Sequence, residues 1–272
     1  MESVKLNRNR SASEVTVDTI KFIRQNFNSL FKSLLYIAGV PILLLTFVTV
    51  YVEHTTQFDP LGGVSSLMFL SVFVQITIAY LVYLVGISYM KLYRRRGANN
   101  FDPVSDVLAE VKTYAARFIG LMILVSFSYM IGFILFIIPG IYLVIALFMS
   151  GFILVYEDET VSEAFSRSMQ LVKGYWWHAC GAILLLTVLI MGISVFLGLP
   201  TFVVGFLLGA GEVIGEGLLN STTMTIIAAI NYVFTVVYYF FSVISGIGAA
   251  MLYFSLIEKK EGNSLSNEIA EL

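Results

Sequence analysis

Six long stretches of this chain hold no Asp, Glu, Lys or Arg: about Ser33–Val52, Val64–Met90, Phe118–Ile138, Ile141–Tyr156, Trp176–Leu199 and Thr225–Ile257. In hydrocarbon an unpaired backbone group costs several kcal/mol, so an apolar chain of this kind crosses a membrane as helices. About 20 apolar residues span the roughly 30 Å core. The pattern predicts an all-α polytopic membrane protein with six transmembrane helices over 33–257, an N-terminal segment over 1–32 and a tail over 258–272. Composition agrees, with 58% of the 272 residues hydrophobic and 12% charged, where soluble domains carry about 25% charged. The net charge of -2 argues against nucleic acid as a partner. A single cysteine, Cys180, permits neither an internal disulfide nor a multi-cysteine metal site.

The fourth stretch has only 16 residues and is divided from the third by Pro139-Gly140. Proline removes a backbone donor and glycine permits a tight turn, so the pair either kinks one long helix or closes a hairpin. A straight helix over the 39 residues from Phe118 to Tyr156 would measure about 58 Å, nearly twice the hydrocarbon thickness. A hairpin turning at Pro139 and Gly140 is therefore expected, with the short fourth helix completed either by local bilayer thinning or by beginning within the turn.

All 16 Lys and Arg residues precede the first span, join the second to the third or the fourth to the fifth, or follow the sixth. The opposite segments carry no Lys or Arg, only Glu53, Asp59, Glu212 and Glu216. By the positive-inside rule both termini are expected in the cytoplasm. The first 29 residues are polar and amphipathic, so no cleavable signal peptide is expected. Arg94, Arg95 and Arg96, directly after the second span, suffice as a topology determinant and are also placed to meet anionic lipid headgroups.

Each odd-numbered span follows a stretch that reads as an amphipathic helix. The apolar sets are Ile20, Ile23, Phe27, Leu30 and Phe31; then Val107, Leu108, Val111 and Tyr114; then Ala164, Phe165, Met169, Leu171 and Val172. Such helices can lie in the headgroup plane on the cytoplasmic side. The three starts, Val17-Asp18, Val104-Ser105 and Val161-Ser162, each offer a capping residue, and an aromatic follows 14 residues after each Val: Phe31, Phe118 and Tyr175. Either this is a threefold repeat or any loop feeding a helical hairpin looks the same.

Charges inside spans are the usual mark of a transport or catalytic path. The span interiors offer only neutral groups such as Ser71, Gln75, Thr77, Cys180, Asn231, Ser242 and Ser245. Gln75 and Asn231 either hydrogen-bond between helices or line a polar path. Ser242, Gly246 and Ala250 recur at four-residue spacing, as do Gly205 with Gly209 and Gly211 with Gly215, a spacing that lets helices approach closely, within the chain or between chains. The segment from Thr201 to Leu219 reads as a re-entrant or interfacial helix. His54, beside Glu53 and Asp59, and His178, after Trp176-Trp177, read as structural, with a weak metal site at His54 as the alternative. No catalytic residue, cofactor or metal is expected.

The most informative stretch is Pro139-Gly140-Ile141-Tyr142, then Glu157, Ala164, Ser168, Lys173-Gly174 and Trp176-Trp177. It resembles the membrane-domain family named after the glycerophosphodiester phosphodiesterases to which it is sometimes fused, which also includes stand-alone bacterial inner-membrane proteins. The likeness is strongest from Ile131 to Gly181. On it, Tyr142, Glu157, Ala164, Ser168, Lys173, Gly174 and Trp177 are motif positions, and no catalytic residue carries over. The longest segments between spans are far below the roughly 50 residues of an independent domain, so the hydrolase is not expected in this chain.

These readings converge on a non-catalytic integral subunit or scaffold, multi-pass in a bacterial cytoplasmic (inner) membrane. Its expected partners are the lipid bilayer and other membrane-protein subunits or further copies of itself. The alternative is a transporter or lipid-handling protein that uses the broken Pro139-Gly140 hairpin and the outer Gly-rich segment, since broken helices often border substrate sites.

Overall fold

The computed structural model describes residues 5–56, 66–97, 100–213 and 221–270. Among the described residues every regular element is a helix: α1 (Ala12–Gln25), α2 (Phe27–Ile37), α3 (Gly39–Thr56), α4 (Ser66–Arg96), α5 (Ser105–Leu135), α6 (Ile137–Leu147), α7 (Ser150–Tyr156), α8 (Val161–Val172), α9 (Trp176–Val213), α10 (Ser221–Phe241) and α11 (Val243–Ala270). Five stretches are long and apolar enough to cross a bilayer: Val72–Arg96, Ser105–Leu135, Ile137–Tyr156, Trp176–Pro200 and Tyr232–Lys260. The pair Phe27–Ile37 and Gly39–Val48, bent by 57°, makes a sixth if it is one span.

Prolines account for two of the breaks. Pro41 has no N–H for the carbonyl of Ile37, and the chain bends there, between α2 and α3. Pro139 likewise leaves the Leu135 carbonyl without its helical donor, and α5 ends at Leu135. The turn itself falls at Phe136, which is extended (φ -166°, ψ 156°), so the expected turn at Pro139-Gly140 is corrected by three residues. Both residues lie in the first turn of α6, where the missing proline N–H would have had no intrahelical partner anyway. The fourth candidate span therefore starts at Ile137 and reaches 20 residues, and α5 packs along α6 as the hairpin requires. A Cβ on Gly140 would lie 2.5 Å from the Phe133 ring, so glycine serves close packing of the two arms.

Three other boundaries differ from expectation. Helix α9 runs through Pro200 to Val213, so 201–213 continues the helix of the fifth candidate span and is not a separate helix; 214–220 lie outside the described residues. The sixth candidate span is interrupted at Ser242, whose N–H is shared between the carbonyls of Tyr238 and Tyr239 while its hydroxyl donates to Tyr239. Residues 105–117 are continuous with the third span in α5, not a separate interfacial helix.

The remaining amphipathic helices, α1 and α8, turn faces inward. Helix α8 packs Ala164, Ser168, Leu171 and Val172 against the bundle, and α1 packs Val15, Thr19 and Phe22. Their caps are Thr160 and Ser11, each in a reciprocal capping box with Glu163 or Glu14. Val17-Asp18 therefore lies inside α1, Ser105 and Ser162 lie inside their helices without capping them, and the shared start proposed for a threefold repeat fails. Ser105 is held instead by Asp102, whose carboxylate accepts from the N–H groups of Val104 and Ser105.

Helices α4 and α11 form the centre. A Cβ on Gly246 would stand 3.0 Å from the Tyr83 carbonyl, and one on Gly86 would stand 2.7 Å from the Val243 side chain. Gly246 and the fully buried Ala250 thus face an internal partner, while Ser242 is at the break between α10 and α11. Within the candidate spans 72% of the Tyr232–Lys260 window is buried, against 22% for Ser105–Leu135 and 17% for Trp176–Pro200, which leaves α5 and α9 at the periphery.

Candidate functional site

The fourth span is broken again at Phe148-Met149, between α6 and α7. A break inside an apolar helix strips carbonyls of their donors, and each must find another or lose stability. Here three consecutive carbonyls are met by hydroxyls. Ser168 Oγ donates to Ala146 O at 2.7 Å, Ser150 Oγ to Leu147 O at 2.7 Å, and Tyr83 Oη to Phe148 O at 3.2 Å. Gly151 keeps α7 tight against the bundle, since a Cβ there would be 2.9 Å from both Phe118 and Tyr83. Ser168 reaches the break because fully buried Ala164, one turn earlier on the same face of α8, leaves room for close approach.

Beyond α7 the chain enters a charged cluster. Asp158 adopts φ 59°, a left-handed conformation that Asp tolerates better than most residues. Its carboxylate accepts from Tyr114 Oη at 2.9 Å and from Arg117 at 3.0 Å. The tyrosine hydroxyl, and then the guanidinium, hold the Asp158 carboxyl below its usual range. Tyr114 Oη in turn accepts from Lys91 Nζ at 2.8 Å, and the same ammonium pairs with Glu110 at 2.6 Å. Lys91 is 2% exposed and Glu110 23%, so the ammonium is withdrawn from water while its partner keeps an edge in it. Glu157 accepts from Tyr253 Oη at 2.6 Å and faces Arg167 at 3.4 Å. The α7–α8 turn thereby ties α4, α5, α8 and α11 together.

A second anchor lies at the N-terminus. Arg10, 1% exposed, pairs with Asp18 at 2.8 Å and donates to the carbonyls of Leu6 and Lys5. Its backbone N–H donates to Ser255 Oγ at 3.1 Å, which fastens the N-terminal segment to α11. In the sequence, Arg10 and Lys91 stand out only as two of the charges that bound the spans. A signal for Lys91 did exist, because Glu110 and Tyr114 are four apart on one face of α5 and complement a buried cation.

The arginines after α4 have partners within the chain. Arg94 donates to Asn7 at 3.3 Å, Arg95 to the Tyr156 carbonyl at 3.3 Å, and Arg96 pairs with Asp106 at 3.1 Å. The other motif positions divide. Tyr142 stacks on Trp176 at 6.2 Å, and Gly174 takes φ +88° just past the Lys173 cap of α8, a conformation suited to glycine. Lys173 is exposed and Trp177 is 81% exposed, away from the cluster. Gln75 is exposed on α4, and the side chains of Asn231 and His54 lie outside the described residues, as does Asp59. His178 meets Lys259 Nζ at 3.0 Å and, because an ammonium only donates, serves as its acceptor.

The geometry therefore joins Glu157, Ala164 and Ser168 into one assembly with Tyr83, Lys91, Tyr114 and Asp158. Its chemistry is that of structural closure: freed carbonyls receive hydroxyls, and buried ions receive counter-ions. Compared with protein-family models, curated proteins and solved structures, the chain finds no match.

Proposed function

We propose that the protein is a non-catalytic membrane scaffold or subunit, spanning a bacterial cytoplasmic membrane six times with both termini inside. It belongs, on this reading, with the membrane-domain family of the glycerophosphodiester phosphodiesterases, lacking the hydrolase. Its partners are other membrane proteins or further copies of itself. The observation that carries the reading is the contrast between the engaged polar assembly around α7 and α8 and an open apolar periphery. The polar groups around α7 and α8 are engaged with one another, while α9 keeps Val188, Val195 and Phe196 at 57%, 62% and 72% exposure. A rigid bundle with such a flank suits packing against a neighbour. The transporter alternative needs a mobile Pro139-Gly140 element, and the close contacts of Gly140 with Phe133 weigh against it.

Isolation of the chain from membranes in mild detergent tests the reading. A defined complex, hetero- or homo-oligomeric, is expected; a solitary chain that sustains its physiological role when reconstituted alone would contradict it.

A further inference from the structure

Helices α1 and α2 leave a half-open groove of about 570 Å3 against α9, α10 and α11. Its volume falls within the roughly 300–1,000 Å3 of small-molecule sites. Ile20 and Phe31 line one wall, Leu189 and Ile193 the second, and Val237 and Phe240 the third. Every lining residue is apolar except Arg24. This cation is in the last turn of α1, is exposed, and has no ion pair among the described residues. The outward face of α1 and α2 continues the pattern: Val17, Ile20, Phe27 and Phe31 are exposed beside Lys21 and Arg24. An apolar face bearing cations is the composition of a helix at a bilayer interface. Leu189 lies about 20 Å along α9 from Trp176 at 1.5 Å per residue, so the groove joins the interface to the apolar span.

We infer that this groove holds one acyl chain of an anionic glycerophospholipid, with the lipid phosphate at Arg24. The charge complementarity selects the occupant. A wholly apolar slot would take any chain, and a cation at its rim adds preference for an anionic headgroup. The Arg94-Arg95-Arg96 cluster, which sequence favours for lipid contact, has each guanidinium engaged within the chain, whereas Arg24 does not. The inference depends on the bilayer placement of the chain and not on its scaffold role.

The test is native mass spectrometry of the full chain in detergent, titrated with dioleoylphosphatidylglycerol or with dioleoylphosphatidylcholine. One retained lipid per chain is expected, with phosphatidylglycerol preferred about fivefold, the ratio that corresponds to about 1 kcal/mol for one basic side chain. Arg24→Gln should abolish the preference while choline-lipid retention persists, whereas Lys32→Gln should leave both unchanged. Leu189→Trp, which fills the groove, should remove retention of both lipids. Against a loss of fold in that variant, Ile20→Trp at the exposed rim is the second blocking variant, and both are read only in monodisperse protein. Equal preference in the parent and Arg24→Gln overturns the headgroup assignment. Undiminished retention in a folded blocking variant overturns the groove, as does a second copy of the chain whose docking the same variants abolish. Failure to isolate a complex under the scaffold reading leaves these lipid outcomes unaffected.

Discussion

Ser168 shows how one hydroxyl supports a membrane helix. Its donation to Ala146 O replaces a backbone bond lost at the α6–α7 break, in a buried setting where an unmet carbonyl costs about 1–3 kcal/mol. Ser168→Ala should lower unfolding stability by about that amount, read as a reduced Tm in detergent, while Ser166→Ala on the exposed face of α8 should not. Equal Tm values in the two variants would remove Ser168 from this role. Asp158 supplies a pH signature. A depressed folded pKa means that its stabilisation is complete above the unfolded carboxyl value of about 4 and is lost as pH falls through the lower folded value. The parent should therefore lose Tm between about pH 5 and about pH 3 more steeply than Asp158→Asn, which cannot titrate. Parallel curves would show that the Tyr114–Asp158–Arg117 contact contributes nothing to the pH response.

At the scale of elements, close packing of α4 on α11 depends on Gly246. Valine there meets a backbone carbonyl that cannot swing aside, so Gly246→Val should destabilise by about 2 kcal/mol or more, seen in thermal unfolding. An unchanged midpoint would place these helices further apart. The apolar runs and their bounding charges made the helical class and the hairpin of α5 and α6 legible from sequence, because both follow from length against bilayer thickness. The exact breaks were less legible. Proline reads as a stop, yet Pro41 and Pro139 each occupy a helical first turn, and the chain breaks three residues earlier, at Ala38 and Phe136, just past the carbonyl left without a donor. At Pro200 the same local signal does not end α9. Likewise an amphipathic stripe shows that a face will be buried without saying against what: α8 buries its stripe in protein, while α1 divides its apolar residues between protein and the outside. Of the candidate site, Glu157 and Ser168 were legible as candidate positions. Their roles were not, since each bonds to a residue distant in sequence, Tyr253 and Ala146.

For the whole molecule, charge distribution and helix burial together give a coherent picture. Basic and acidic groups at the α7–α8 end neutralise one another within the bundle, the N-terminal segment is fastened by Arg10 to α11, and α9 is left with one flank uncovered. Such a chain offers stability inward and surface outward, which is what a scaffold requires. The lipid groove beside α1 adds a second, separate contact with the membrane. Photocrosslinking in intact membranes, with a photoreactive residue at Val188 or Phe196, tests the scaffold account most directly. Discrete protein adducts are expected at both positions and none from buried Phe22; adducts with lipid alone at Val188 and Phe196 would contradict it.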